Sequence, residues 1–234
     1  MTVFGGPDIV TDGLVFNMDF SNPKCYSGTG SYCYDLSGNN FQGQLVNTPT
    51  YATDGNNKFF AFATNDYIKI PNSTLLDTNS PSVEVWFKAN SLSQNGFFFE
   101  KGTVNTQYSL FMAAGNSSVY WRHKSAALRT AVYPTSTGGF GMNTSDWFNL
   151  VGTFSSGTKK LYLNGILKYT SYDTSYPTIN TTTGGMSIGA YGGYAGSRGY
   201  YYNGNIAIVK VYNKTLSDNE ILQNFNALKG RFGL

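Results

Sequence analysis

YYYNGNIAIVKVYNKTLSDNEILQNF, residues 200–225, reads as a strand that runs into a capped helix. Between Ile206 and Tyr212 apolar side chains fall on both alternating faces: Ala207, Val209 and Val211 on one, Ile206, Ile208 and Tyr212 on the other. A strand that is apolar on both faces is a central one, covered on both sides. Ser217 then supplies an N-cap, and Glu220 completes a capping box, because hydroxyl and carboxylate each satisfy an amide that the first helical turn leaves unbonded. Leu216, just ahead of the cap, is placed to staple onto Ile221. Ile221, Phe225 and Leu228 follow on one helical face, and Gly230 supplies the stop. The expected helix is 217–229, closing a β domain.

Upstream, short apolar segments are separated by Asn, Gly, Ser and Asp turns. GLVFNMDF (13–20) places Leu14, Phe16, Met18 and Phe20 on one face. LVN (45–47), KFFAFA (58–63) and DYIKI (66–70) are short strands, and SVEVWFKA (82–89) alternates Val83, Val85 and Phe87 with Glu84, Trp86 and Lys88. GFFFEKG (96–102), QYSLFMAA (107–114), SVYWRHK (118–124), ALRTAVY (127–133), 147–154, 159–163 and MSIGA (186–190) continue the series. Ser156-Gly157 and Asn164-Gly165 are tight-turn signals between strands. Strands at even spacing with one terminal helix predict an all-β fold, an antiparallel β-sandwich of the jelly-roll kind. No repeat of fixed period and no mid-chain linker is present. The division is an N-terminal arm 1–12, a sandwich 13–230 with the closing helix, and a tail 231–234.

The composition agrees. Of 234 residues 12% are charged, about half the usual share of roughly 25%. Aromatic residues make up 16%, with 18 Tyr, 17 Phe and 27 Gly. That is too aromatic for disorder and suits strands and turns. The net charge of +3 is scattered, with no Lys/Arg block of the kind a nucleic-acid footprint needs. No apolar run approaches the ~18 residues of a membrane span. MTVFGGPDIV has neither the basic start nor the apolar run of a secretory signal, so synthesis and retention in the cytoplasm, or release by lysis or another route, is expected.

Glycoside hydrolysis needs two carboxylates about 5–5.5 Å or 6.5–9.5 Å apart. SVEVWFKA offers Glu84 alone, and Asp66, Glu100 and Asp146 are isolated in the sequence. No Gly-x-Ser-x-Gly elbow is present, and His123 lies in a strand-like run where a structural imidazole is expected. The chain is therefore expected not to be an enzyme. A single His and no second Cys pair argue against zinc. No Asp-rich loop supports calcium, although backbone carbonyls leave it open, and no other cofactor is expected. The Gly/Tyr loop carrying Tyr191, Tyr194, Arg198 and Tyr200 is a candidate glycan platform, since rings can stack on sugar faces. Trp121, with Arg122 and His123, is a smaller cluster of the same kind. The alternative is that these aromatics pack on the sandwich edge or a neighbouring subunit. Cys25 and Cys33 flank a short Gly-rich loop, and both a disulfide and two free thiols stand open.

Several segments in order resemble the laminin-G-like, concanavalin A-like jelly roll. They are SVEVWFKA, the hairpin WFNLVGTFSSGTKKLYLNGILK, MSIGA, and the closing YNGNIAIVKVYNKTLSDNEI. Residues 13–51 and 220–234 resemble the version of this domain found in tailed-phage virion proteins. There the first block usually reads Asp-Ala-Asn-Pro-Lys-Ser-Tyr, then Trp-Tyr-Asp-Leu-Ser-Gly-Asn. Cys25 stands where that family has Ser and Cys33 where it has Trp, a paired departure that favours a disulfide. The wider family often closes on Ile-Asp-Glu-Val-Arg, whereas Ile206 to Lys210 lacks both carboxylates. The resemblance implies a structural protein on the outside of a virion, first of all a capsid-decorating or head-fibre protein. Its partners would be other virion proteins or further copies of itself, with the arm and the segment LKGRFGL docking onto neighbouring subunits. The alternatives are a host-glycan-binding lectin module of the tail and a free soluble lectin.

Overall fold

The computed structural model describes residues 7–102, 106–114, 118–125, 128–133, 141–192 and 200–234. In chain order the strands are β1 (Leu14–Asp19), β2 (Tyr32–Tyr34), β3 (Gln42–Val46), β4 (Thr50–Asp54), β5 (Asn57–Phe62), β6 (Tyr67–Ile70), β7 (Ser82–Ala89) and β8 (Gly96–Gly102). They continue with β9 (Thr106–Ala113), β10 (Ser118–Lys124), β11 (Leu128–Tyr133), β12 (Phe148–Ser155), β13 (Thr158–Leu163), β14 (Ile166–Tyr172), β15 (Met186–Ile188) and β16 (Gly204–Tyr212), and helix α1 spans Asp218–Leu228. Every pairing is antiparallel. The first sheet runs β14-β13-β12-β7-β16-β5-β4, with β1 also paired to β16, and the second runs β11-β10-β9-β8-β15-β6-β3-β2. The two enclose one core, in which Val83, Val85, Phe87, Val209 and Val211 of the first sheet meet Phe98, Leu110, Met112 and Trp121 of the second. The expected antiparallel sandwich with one short C-terminal helix is the observed fold.

β16 is central, as its apolar faces require: β7 lies along one side, and β5 and β1 share the other. Its alternation is not strict. Ile206 pairs with Phe87 and Ile208 with the next residue, Trp86, so a bulge falls between them. A bulge sets two residues against one and shifts the parity of the strand beyond it. Ile206, Val209 and Val211 therefore face the inter-sheet core, whereas Ala207 and Ile208 both face the helix side. The tight turns form where expected, with positive φ at Ser156, Gly157, Asn164 and Gly165. β2 and β4 were not marked by the sequence pattern, and β14 was marked only by the Asn164-Gly165 turn before it. They are edge strands with exposed, largely polar or irregular faces, so no apolar alternation announces them.

The helix begins as its cap residues dictate. Ser217 Oγ accepts from the Glu220 amide at 3.3 Å, and the Glu220 carboxylate accepts from the Ser217 amide at 2.8 Å. Leu216 and Ile221 share a buried cluster with Val151, Tyr162 and Tyr212. Gly230 does not end the helical path. A 3₁₀ turn carries on over Lys229–Phe232, and Gly233, at φ 74°, closes it in the left-handed region. The 231–234 segment then packs on its own sandwich. Phe232 stacks on Trp86 with centroids 4.1 Å apart, and Arg231 forks onto the Asp19 carboxylate at 2.7 and 3.1 Å. Residues 8–10 are held too: Gln223 donates to the Asp8 carbonyl, and the Val10 amide donates to Asn224 Oδ1. Of the arm and tail expected to dock on neighbouring subunits, residues 8, 10, 231 and 232 make these contacts within the chain, and residues 1–6 lie outside the described residues.

Under α1 lies a buried polar knot. Glu84, fully buried, accepts from Lys210 Nζ, Trp86 Nε1 and Asn149 Nδ2 at 3.0 Å each and from Asn224 Nδ2 at 2.9 Å. Burying a carboxylate is costly unless it is paired and hydrogen-bonded, and here both conditions hold. Across the core, Gly152 of β12 faces the Trp121 indole, where a Cβ would lie 2.8 Å from ring atoms, so only glycine fits.

Lys210→Met strands the Glu84 charge and is expected to cost about 3–5 kcal/mol. Combining K210M with E84Q should recover most of that loss. Urea unfolding of the wild type and both variants measures it.

Candidate functional site

The outer face of the second sheet carries an aromatic cleft built by register. Phe97 of β8 pairs with Phe111 of β9, and Phe111 pairs with Tyr120 of β10, so three rings lie in one row across three strands. They stack: Phe97 and Phe111 at 4.5 Å and 6°, Phe111 and Tyr120 at 4.9 Å and 16°. Arg122, two residues beyond Tyr120 on the same face, lays its guanidinium over Phe111 at 4.3 Å and near Phe97 at 5.7 Å. Tyr191 and Tyr200 approach from the connection after β15, with Tyr191 4.8 Å from Phe97 and 6.0 Å from Tyr200. Asn95, Met112 and Ala113 complete a cleft of about 460 Å³.

Two of the bonds at the described ends of this connection border the cleft. The Gly192 amide donates to the fully buried Glu100 carboxylate, and the Phe97 amide donates to the Tyr200 carbonyl at 3.3 Å. Tyr200 stands at φ 54°, a left-handed conformation unusual for a bulky residue, and its side chain is 53% exposed. Such strain is held only where the surroundings over-determine it, and it clusters at functional sites. Burial lowers the Arg122 guanidinium below its ordinary pKa, and the charges of Tyr191 and Glu100 oppose that shift.

Of the residues singled out from sequence, Tyr191, Tyr200 and Arg122 line this cleft. Tyr194 and Arg198 lie outside the described residues. Trp121 is a correction: it is fully buried in the inter-sheet core. The cause is parity, since Val119, Trp121 and His123 share the inward face of β10 while Tyr120 and Arg122 face out. His123 packs inside against Phe154 at 4.3 Å. Phe97, Phe111 and Tyr120 were missed. Their alternation is visible in the sequence, but the register that brings them side by side is not.

The structure holds Cys25 and Cys33 as free, buried thiols, so the disulfide suggested by their paired departure from the family pattern is not formed. The Cys33 sulfur sits 3.5 Å from Met18 Sδ and from the Gly43 carbonyl. Burial pushes the Cys25 thiol up to about 12, and raises Cys33 as well. Among the described residues no group of three or more His, Cys, Asp or Glu is placed to hold a metal ion.

Residues 62–222 match the family model of the concanavalin A-like lectin/glucanases superfamily, laminin G type 3, and the chain belongs to that family. No curated protein matches the chain. Solved structures that do match include the receptor-binding domain of botulinum neurotoxin C/D mosaic serotype, with TM-score 0.70 and 18% identity over 92% of this chain and 51% of that one. The binding domain of Paraclostridial mosquitocidal protein 1 matches with TM-score 0.70 and 14% identity over 93% and 52%. The botulinum neurotoxin serotype D ligand-binding domain, in complex with N-acetylneuraminic acid, matches with TM-score 0.68 and 17% identity over 92% and 51%. The chain thus spans about half the length of these structures, which share its fold.

Thiol reactivity follows the thiolate fraction. Neither cysteine should be alkylated by iodoacetamide in the native protein at pH 8, and both should be after denaturation. Mass spectrometry of the labelled chain reads the difference.

Proposed function

We propose that this chain is a non-enzymatic, glycan-binding module displayed on the surface of a tailed-phage particle. The observation that carries the binding reading is the aromatic cleft on the second sheet. Sugar sites pair ring faces with a few oriented polar groups. Here Phe97 and Phe111 form the floor, while Tyr120, Tyr191 and Tyr200 offer partly exposed rings and hydroxyls. The relatives described as receptor- or ligand-binding domains, one with a sialic acid bound, are in keeping with it. Among the described lining residues none is a carboxylate, and the binding reading invokes no turnover. Glu84 is buried under α1, on the other sheet.

The particle setting rests on the sequence resemblance of residues 13–51 and 220–234. These two segments meet in the fold, through Arg231 and Asp19. Capsid decoration or a head fibre remains the position we propose. A tail-borne lectin would share the cleft, and the copy number of the chain in purified particles separates the two. Many copies support decoration, a handful supports the tail, and absence overturns the virion setting.

On a glycan array the wild-type chain should bind at least one oligosaccharide class. The double substitution Tyr191→Ala and Tyr200→Ala should weaken that binding about tenfold. An array on which nothing binds overturns the glycan reading.

A further inference from the structure

We propose that the sugar this cleft selects carries a carboxylate, and that Arg122 is the group that reads it. The inference rests on the glycan-binding reading and adds the charge of the ligand. Among the described residues lining the cleft, Arg122 is the one with a formal charge; the others are Asn95, Met112, Ala113 and the aromatic residues. Its guanidinium remains protonated in any protein setting. A cleft with charge of one sign and largely apolar walls discriminates by sign, because the field is screened less than in open water.

Geometry narrows the anion further. The guanidinium carbon lies 4.3 Å from the Phe111 ring centroid and 5.7 Å from that of Phe97, so the cation is held against the aromatic floor. What a ligand meets is the edge, where the N–H groups lie. Arg122 Nε is buried and has no hydrogen-bond partner among the described residues. A planar guanidinium fork held at the cleft suits a planar carboxylate, which accepts two parallel N–H bonds. Glu100 does not reverse this sign. It is fully buried, holds the Gly192 amide, and does not line the cleft. It offsets part of the field of Arg122 and leaves a cation as the charge on the wall. The tyrosines would stack the sugar ring while Arg122 fixes the acid, so orientation comes from two different contacts.

The test uses the full chain and oligosaccharides terminated in uronate or sialate, each beside its own methyl ester. The ester keeps the skeleton and removes only the charge. Calorimetry should show the acid bound about tenfold or more tighter than the ester by wild type, as expected for a charge-assisted pair. R122Q should bring the acid-to-ester ratio close to one. R122K, which keeps the charge and loses the fork, should give an intermediate ratio with steeper salt dependence. Equal binding of acid and ester by wild type overturns the inference while the glycan reading stands. A sulfated oligosaccharide that competes as well as the carboxylate overturns the assignment to a carboxylate. Binding of neither acid nor ester overturns the inference, and the glycan array decides whether the glycan reading falls with it. If R122Q fails to fold, the wild-type ratio and its decline with salt decide the matter.

Discussion

The Glu84 carboxylate is the constraint to which the helix side of the molecule answers. It is removed from water on β7, and its four donors come from β7 itself, β12, β16 and α1. An acceptor with that many obligations leaves little choice of where the helix can lie. Asn224 extends the constraint, since its amide gives one N–H to Glu84 and another to the Tyr212 hydroxyl while its oxygen accepts from the Val10 amide. That uses the amide in the one orientation that satisfies all three partners. Tyr212 in turn donates to the Val10 carbonyl, so the chain before β1 is stitched to the same knot. The apolar clusters around Ile221 and Phe232 then close over it.

The features legible in the sequence were the locally encoded ones. The capping box at Ser217 and Glu220 and the spans of β8 and β10 depend on neighbours a few residues away, and the residue types there dictate the local geometry. The bulge after Ile206 is not encoded that way. It follows from fitting β16 to β7, and it turns Ala207 from the core face to the helix face. The fate of Phe232 depended on a flat indole, Trp86, far earlier in the chain. The cleft shows the same limit. Trp121 attracted notice because of its size, yet the adjoining Tyr120 and Arg122 face outward, and a shift of one position exchanges a core residue for a surface one. Cys25 and Cys33 illustrate another: departure from a family pattern does not establish a bond, and both thiols lie free in the same buried cluster.

The cleft residues are ordered against one another: the floor rings are stacked, Arg122 sits 4.3 Å from the Phe111 centroid, and Tyr200 is held at positive φ. Side chains already ordered lose little freedom on binding, so a larger part of each contact is retained as affinity. The buried Glu100 contributes by pinning Gly192 beside Tyr191, a structural duty with a direct effect on the site.

The placement of the ends has a practical side. Residues 8–10 and 231–232 lie with α1 against the outer face of the first sheet, and the cleft opens on the outer face of the second. The described ends and the cleft thus lie on opposite faces of the sandwich. A copy immobilised through either end, on a bead or on a larger scaffold, keeps its cleft turned to the solution. Many copies held on one surface would present their clefts in parallel, so that weak single contacts to a repetitive polymer add up through avidity.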